Sequence, residues 1–188
     1  MTATTALYLQ APFGIEQNSK QIGRLKEFLT EKSVQAFLSH NIHLIEHLLM
    51  ENDQIANDVA LMLNHAPDMD VKSVKNSLGG YHLFQATVPT VKSLRKENKN
   101  LSLGAGPIGD KHEAMEIAEA GADYIAFPVA ETELIKWWVE SFEVPAVAWG
   151  CSSVDQAREL IDMKVEFIMP SPQMWLQDNA LEDLIKLL

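Results

Sequence analysis

One feature constrains this chain more than any other: a short aliphatic or β-branched run followed by helical periodicity, repeated eight times. Candidate strands begin near positions 6, 34, 59, 80, 101, 122, 144 and 165, so the unit recurs every ~21 residues, stretching to ~28 near the start. So short a period leaves room for a single helix between strands. Parallel strands with right-handed crossovers then result, and eight of them close into a barrel. The expected fold is α/β, a compact (βα)8 TIM barrel in a single domain over 1–188. An open doubly wound sheet is the competing architecture. It usually has five or six strands, with ligands at a reversal of strand order, and no GxGxxG follows the first strand here.

The strands are predicted at 6–12 (ALYLQAP), 34–39 (VQAFLS), 59–63 (VALML), 81–84, 101–103, 124–127, 144–148 and 165–169. The first helix is expected over about 19–32, with Ile22, Leu25, Phe28 and Leu29 on its buried face. The second is expected through IHLIEHLLMENDQIA, with Ile42, Ile45, Leu48 and Leu49 buried and Asn57 and Asp58 breaking it.

Composition narrows the function. With 188 residues, 47% hydrophobic, the chain suits one substantial core. Only Cys151 is present, which excludes an intrachain disulfide and a thiolate metal cluster. A net charge of -11 without a Lys/Arg stripe argues against nucleic acid as a partner. No window has the length of a membrane span, and the N-terminus lacks the basic flank and apolar core of a secretion signal, so no membrane association and a cytoplasmic location are expected. In so acidic a chain a phosphorylated substrate must find its counter-charges in a local pocket.

The segment GAGPIGDKHEAMEIAEAGADYIAFP, from Gly104 to Pro128, resembles the fifth unit and sixth strand of thiamine phosphate synthases (thiamine-phosphate pyrophosphorylases) and their TenI-like relatives. VALMLNHAP from Val59 and GGYHLFQATVP from Gly79 resemble that family's third and fourth strands. VPAVAWG and VEFIMPS fall where its seventh and eighth strands should be. The resemblance spans essentially the whole chain and rests on order and spacing. It implies coupling of a pyrimidine methyl diphosphate to a thiazole phosphate, with diphosphate released and Mg2+ as cofactor. Departure of diphosphate generates a pyrimidine cation, so the reaction needs charge neutralisation more than acid–base machinery.

Against that pattern several positions have changed. The cations expected after the second strand are replaced in Ala36-Phe37-Leu38-Ser39-His40-Asn41, and the metal carboxylates after the third and fourth strands are replaced by His65 and Thr87. Asp68 and Asp70 read either as substitutes or as helix caps. Asn64, His82 and Gln85 are retained, with Phe84 in place of a glycine, and the Thr/Lys-rich loop after the sixth strand is missing.

Candidate substrate contacts are therefore Asn64, Gln85, Lys111, Gly150, Cys151, Ser152 and Ser171, the last four forming a phosphate cup after strands seven and eight. Ser152 or Ser153 with Asp155 reads equally as an ordinary N-cap. Candidate catalytic residues are His65, His82 and His112, at or just past strand ends, where an imidazole suits proton transfer. His82 alternatively reads as a packed strand residue, and His43 and His47 as surface residues. Cys151 has no evident base beside it to activate its thiol. The Trp137-Trp138 pair requires one ring inward and one outward, pointing to a lid or a homo-oligomer interface. Three functions remain open: a divergent thiamine phosphate synthase, a histidine-dependent thiazole tautomerase of the TenI-like kind, and a non-catalytic binder of thiamine-pathway phosphates.

Overall fold

The computed structural model describes residues 5–52, 54–65, 71, 73–177 and 179–188. Its strands are β1 (Ala6–Gln10), β2 (Val34–Ser39), β3 (Ala60–Asn64), β4 (Gly80–Leu83), β5 (Ser102–Ala105), β6 (Tyr124–Pro128), β7 (Ala146–Cys151) and β8 (Phe167–Pro170). Each pairs in parallel with the next and β8 pairs with β1, closing the barrel. The open doubly wound sheet is thereby excluded.

Strand side chains alternate between two environments, as a period of two demands. Leu7, Leu9, Phe37, Leu61, Leu63, Ile125 and Phe127 point outward into the large core beneath the helices. Tyr8, Ala36, Leu38, Met62, Tyr124, Ala126, Val147 and Met169 form a separate cluster inside the barrel. Large and small residues interlock there. A Cβ at Gly104 would lie 1.7 Å from Tyr124 Cζ, so glycine at this position is what admits the tyrosine ring.

The helices are α1 (Ser19–Phe28), α2 (Ile42–Glu51), α3 (Ile55–Asp58), α4 (Val88–Glu97), α5 (Lys111–Glu119), α6 (Thr132–Ser141), α7 (Val154–Asp162), α8 (Pro172–Leu176) and α9 (Ala180–Leu187). Asn18, Asn41, Thr87, Asp110 and Ser153 cap α1, α2, α4, α5 and α7, each side chain accepting from a backbone N–H two or three residues on. Such a cap is worth about 1 kcal/mol. Because every one follows a strand end, the caps also fix the helix N-termini at the rim of one mouth.

Three expectations about the elements are corrected. The second helix stops at Asn52 rather than at Asn57 and Asp58, because Asn52 leaves helical geometry and its side chain accepts from Gln54 N (3.1 Å); Asn57 and Asp58 end the separate α3. The first helix ends at Phe28, and Thr30 and Glu31 form tighter turns after it. Between β3 and β4 the described residues supply only a turn over 73–77 in place of a helix. Asp68 and Asp70, read as caps or ligands, lie outside the described residues.

At the opposite end Arg95 ties three segments together, donating to Gly121 O, Leu101 O and the Asp123 carboxylate. Among the described residues no helix is long and apolar enough to cross a membrane.

Candidate functional site

Alternation along the strands decides which side chains reach the mouth. Gln10, His40, Asn64, Phe84, Trp149 and Ser171 are in phase with the interior residues Tyr8, Leu38, Met62, His82, Val147 and Met169 and follow them toward the strand tips.

At the base of this mouth lies a buried polar chain. His82 is fully buried, with Nδ1 2.9 Å from the Tyr124 hydroxyl and Nε2 3.0 Å from Gly106 O. A carbonyl only accepts, so Nε2 carries the proton and Nδ1 accepts from Tyr124. The Tyr124 oxygen is then free to accept from Tyr8, whose hydroxyl is 2.7 Å away. Every proton has an assigned direction, from Tyr8 through Tyr124 to His82 and on to Gly106. Burial drives the His82 pKa down to about 4, against the Gly106 hydrogen bond that raises it. Burial likewise raises both tyrosines well above the ordinary range. The chain is neutral at physiological pH.

Aromatic rings cover it. Trp149 stacks on His82 at 5.1 Å between centroids, and Phe84 meets both edge-on. His40 stacks on Phe84 at 5.5 Å, and Phe13 stacks on His40 at 4.9 Å. The column runs from the barrel interior to a ring, Phe13, that is 85% exposed. Gln10 Nε2 donates to His40 Nε2 at 2.8 Å, which leaves the imidazole proton on Nδ1; partial burial lowers the His40 pKa and keeps the ring neutral.

The phosphate-cup residues have mixed surroundings. Gly150 has φ +93° at an irregularity in the β7–β8 pairing, a conformation open to glycine. Ser171 Oγ is buried and has no hydrogen-bond partner among the described residues, an uncommon state for a hydroxyl. Ser171 N donates to Cys151 O at 2.7 Å, and the N–H and hydroxyl of Ser152 both reach the Gln156 side-chain oxygen, at 2.9 and 3.2 Å. That amide oxygen occupies a place suited to an anion. Cys151 is the last residue of β7 rather than part of a loop, and its buried thiol faces the outer core and donates to Ser153 O; burial raises its pKa.

Other candidates lie around the rim. Asn64 Oδ1 is buried at the tip of β3 and has no partner among the described residues. Gln85 is exposed with φ +54°. His65 packs edge-on against Tyr81, an outward-facing residue, and burial lowers its pKa. Lys111 sits 4.3 Å over the Trp137 ring, so the outward tryptophan of the pair is covered by a cation, while Trp138 is fully buried and donates to Val144 O. His112 is exposed, 3.7 Å from Glu116 on its own helix. The fold thus gathers Asn64, His82, Gly150 and Ser171 at the mouth, directs Lys111 to α6, and turns Cys151 and His65 outward. Reading the sequence misses Gln10, His40, Phe84 and Trp149 as mouth residues; strand parity, counted from Tyr8, Leu38, His82 and Val147, is the signal that finds them.

Relatives agree with this architecture. A thiamine-phosphate synthase of Rhodospirillum centenum is 31% identical over 132 residues, 64% of this chain and 62% of that protein. One of Erythrobacter litoralis is 31% identical over 138 residues, 66% of this chain and 63% of its own length. The chain is similar to thiamine-phosphate synthases over part of their length. The match spans less than two thirds of either protein, and no family model matches the chain. In fold, the chain is similar to the thiamine phosphate pyrophosphorylase of Pyrococcus furiosus, with a TM-score of 0.71 at 20% identity over 98% of this chain and 95% of that one. It is also similar to KGPDC of Streptococcus mutans, with a TM-score of 0.68 at 16% identity over 97% and 98%.

Two of the departures fall where the family resemblance implies Mg2+. Thr87 uses its hydroxyl on Thr90, accepting from its N–H and pairing with its Oγ1. His65 offers nitrogen to an ion that prefers oxygen. Among the described residues no group of three His, Cys, Asp or Glu side chains could hold a metal. The residues described at the tips of β3 and β4 do not fit Mg2+.

Proposed function

We propose that this chain acts in thiamine biosynthesis in the manner of a thiamine-phosphate synthase, joining a pyrimidine methyl diphosphate to a thiazole phosphate held at the tips of β7 and β8. Ser171 carries the reading: a buried hydroxyl with no partner has one hydrogen bond to gain from an anion placed beside it. Swinging Gln156 aside frees the Ser152 N–H and hydroxyl for the same anion, at the capped start of α7. The ring system of the substrate then lies toward Trp149, Phe84 and His40. In the reaction the bond from the pyrimidine methylene carbon to diphosphate breaks and the thiazole nitrogen forms the new carbon–nitrogen bond. The aromatic wall keeps water from that cation. No step is assigned to Mg2+. A cofactor-biosynthesis role places the protein in the cytoplasm.

The test supplies both substrates and Mg2+ at high enzyme concentration and measures thiamine phosphate. Product is expected, and Ser171→Ala should lower kcat/KM for the thiazole phosphate ~10-fold, the loss of about one hydrogen bond to a charged group. Its thermal stability should stay at the wild-type level, because Oγ has no partner to lose. No product from the wild type sinks the proposal.

A second reading, thiazole tautomerisation, is favoured by the neutral, Gln10-oriented His40 at the mouth. It predicts isomerisation of a thiazole carboxylate phosphate that His40→Gln abolishes.

A further inference from the structure

We propose that the cavity beside the mouth, between the loops that follow β1 and β2, is a binding subsite for a planar, positively charged nitrogen heterocycle, with Phe13 as its stacking face and Glu16 as its counter-charge. The cavity has a volume of about 450 Å3. Phe13, Glu16, His40, Asn41 and His43 are among its lining residues, and among the described residues no Lys or Arg lines it.

Three observations fix the chemistry of the occupant. Phe13 is held by one face, stacked on His40 with 25° between the planes, and the ring remains 85% exposed. A phenyl ring anchored on one side and free on the other offers its negative face to a cation or a second ring. His40 is kept neutral by partial burial and hydrogen-bonded by Gln10, so it brings no positive charge to the cavity. The exposed His43 is 2.7 Å from Glu46, a carboxylate beside it. With Glu16 lining the space and -11 on the chain as a whole, an anion is repelled and a cation attracted.

The cavity follows β2, where the family resemblance places cations for the diphosphate; here Ser39-His40-Asn41 stand in their place. The charge preference of this subsite has been reversed. β1 neighbours β8 in the barrel, so a single ligand can span from Ser171 to Phe13 with its phosphate at one end and its ring at the other. This inference draws on the proposed thiamine-pathway function for the choice of ring, so its test uses a probe without phosphate.

Thiamine itself, cationic and unphosphorylated, is titrated into the full chain by calorimetry beside the neutral thiazole alcohol and inorganic diphosphate. Thiamine should bind most tightly, and diphosphate should not displace it. Phe13→Ala and Phe13→Leu should each weaken thiamine ~3- to 5-fold, and Glu16→Gln ~2-fold, the Glu16→Gln change leaving binding of the neutral thiazole alcohol as it was. Phe13→Leu retains the apolar bulk and removes only the ring, and both positions are exposed at the surface, so the variants should fold. Wild-type affinity in Phe13→Leu, equal affinity for the neutral alcohol, or no thiamine binding at all overturns the proposal. Failure of the function reading is separate: it is read from Ser171→Ala and product formation with phosphorylated substrates, neither of which this titration uses.

Discussion

Tyr124→Phe isolates the buried polar chain with the least disturbance to packing. The ring stays in its place over Gly104, and only the hydroxyl goes. That oxygen serves two partners, donating to His82 Nδ1 at 2.9 Å and accepting from Tyr8 at 2.7 Å. Its removal leaves a buried acceptor and a buried donor, since Tyr8 and His82 are 2% and 0% exposed and neither can turn to water. Each orphaned group costs about 1–3 kcal/mol, so a loss of about 2–6 kcal/mol is expected. Tyr8→Phe is the control. It removes the terminal donor while Tyr124 goes on donating to His82, so about 1 kcal/mol is expected. Urea unfolding at pH 7.5, with unchanged m-values, gives both numbers. Nitrogen chemical shifts of His82 should place the proton on Nε2 in the wild type. Equal losses from the two variants, or a Tyr124→Phe loss below about 0.5 kcal/mol, would refute the assigned direction of the chain.

Two further outcomes follow from the barrel interior. The folded His82 pKa of about 4 lies below the unfolded value of 6.5, so between the two the unfolded chain binds the extra proton and stability falls as the pH falls. The full loss, complete below pH 4, is about 3 kcal/mol; urea midpoints at pH 7 and pH 5 should show the larger part of it, and an NMR titration in which His82 protonates above pH 6 contradicts it. Gly104→Ala drives a methyl group into the Tyr124 ring and should cost about 3 kcal/mol; a melting temperature equal to wild type would mean the ring has another place to go.

The periodic recurrence of strand and helix was enough to give the barrel, since a unit of that length admits one crossover helix and eight such units close. The second strand was placed to the residue, because Val34–Ser39 is bounded by turn residues and is apolar but for Gln35 and Ser39. Helix ends were harder. Asn52 and Asn57 carry the same side chain, and only the turn that Asn52 closes on Gln54 N decides which one breaks the helix. At the site, His82, Asn64, Gly150 and Ser171 were named through the family resemblance, and strand closure is what brings them to one mouth. Lys111 could not be placed, because its length lets it reach either the mouth or α6, and the Trp137 ring determines which.

What the linear chain settled by itself was therefore the alternation: which runs are strands, their order, and that their tips share one end. Whether a side chain at a tip turns to the axis or to the helices depends on strand phase and on a bulge such as the one at Gly150, between Trp149 facing in and Cys151 facing out. Only closure of the sheet stacks Phe13, His40, Phe84, Trp149 and His82 into one column, because β2, β4 and β7 are not neighbours in the sheet and meet only across the barrel axis.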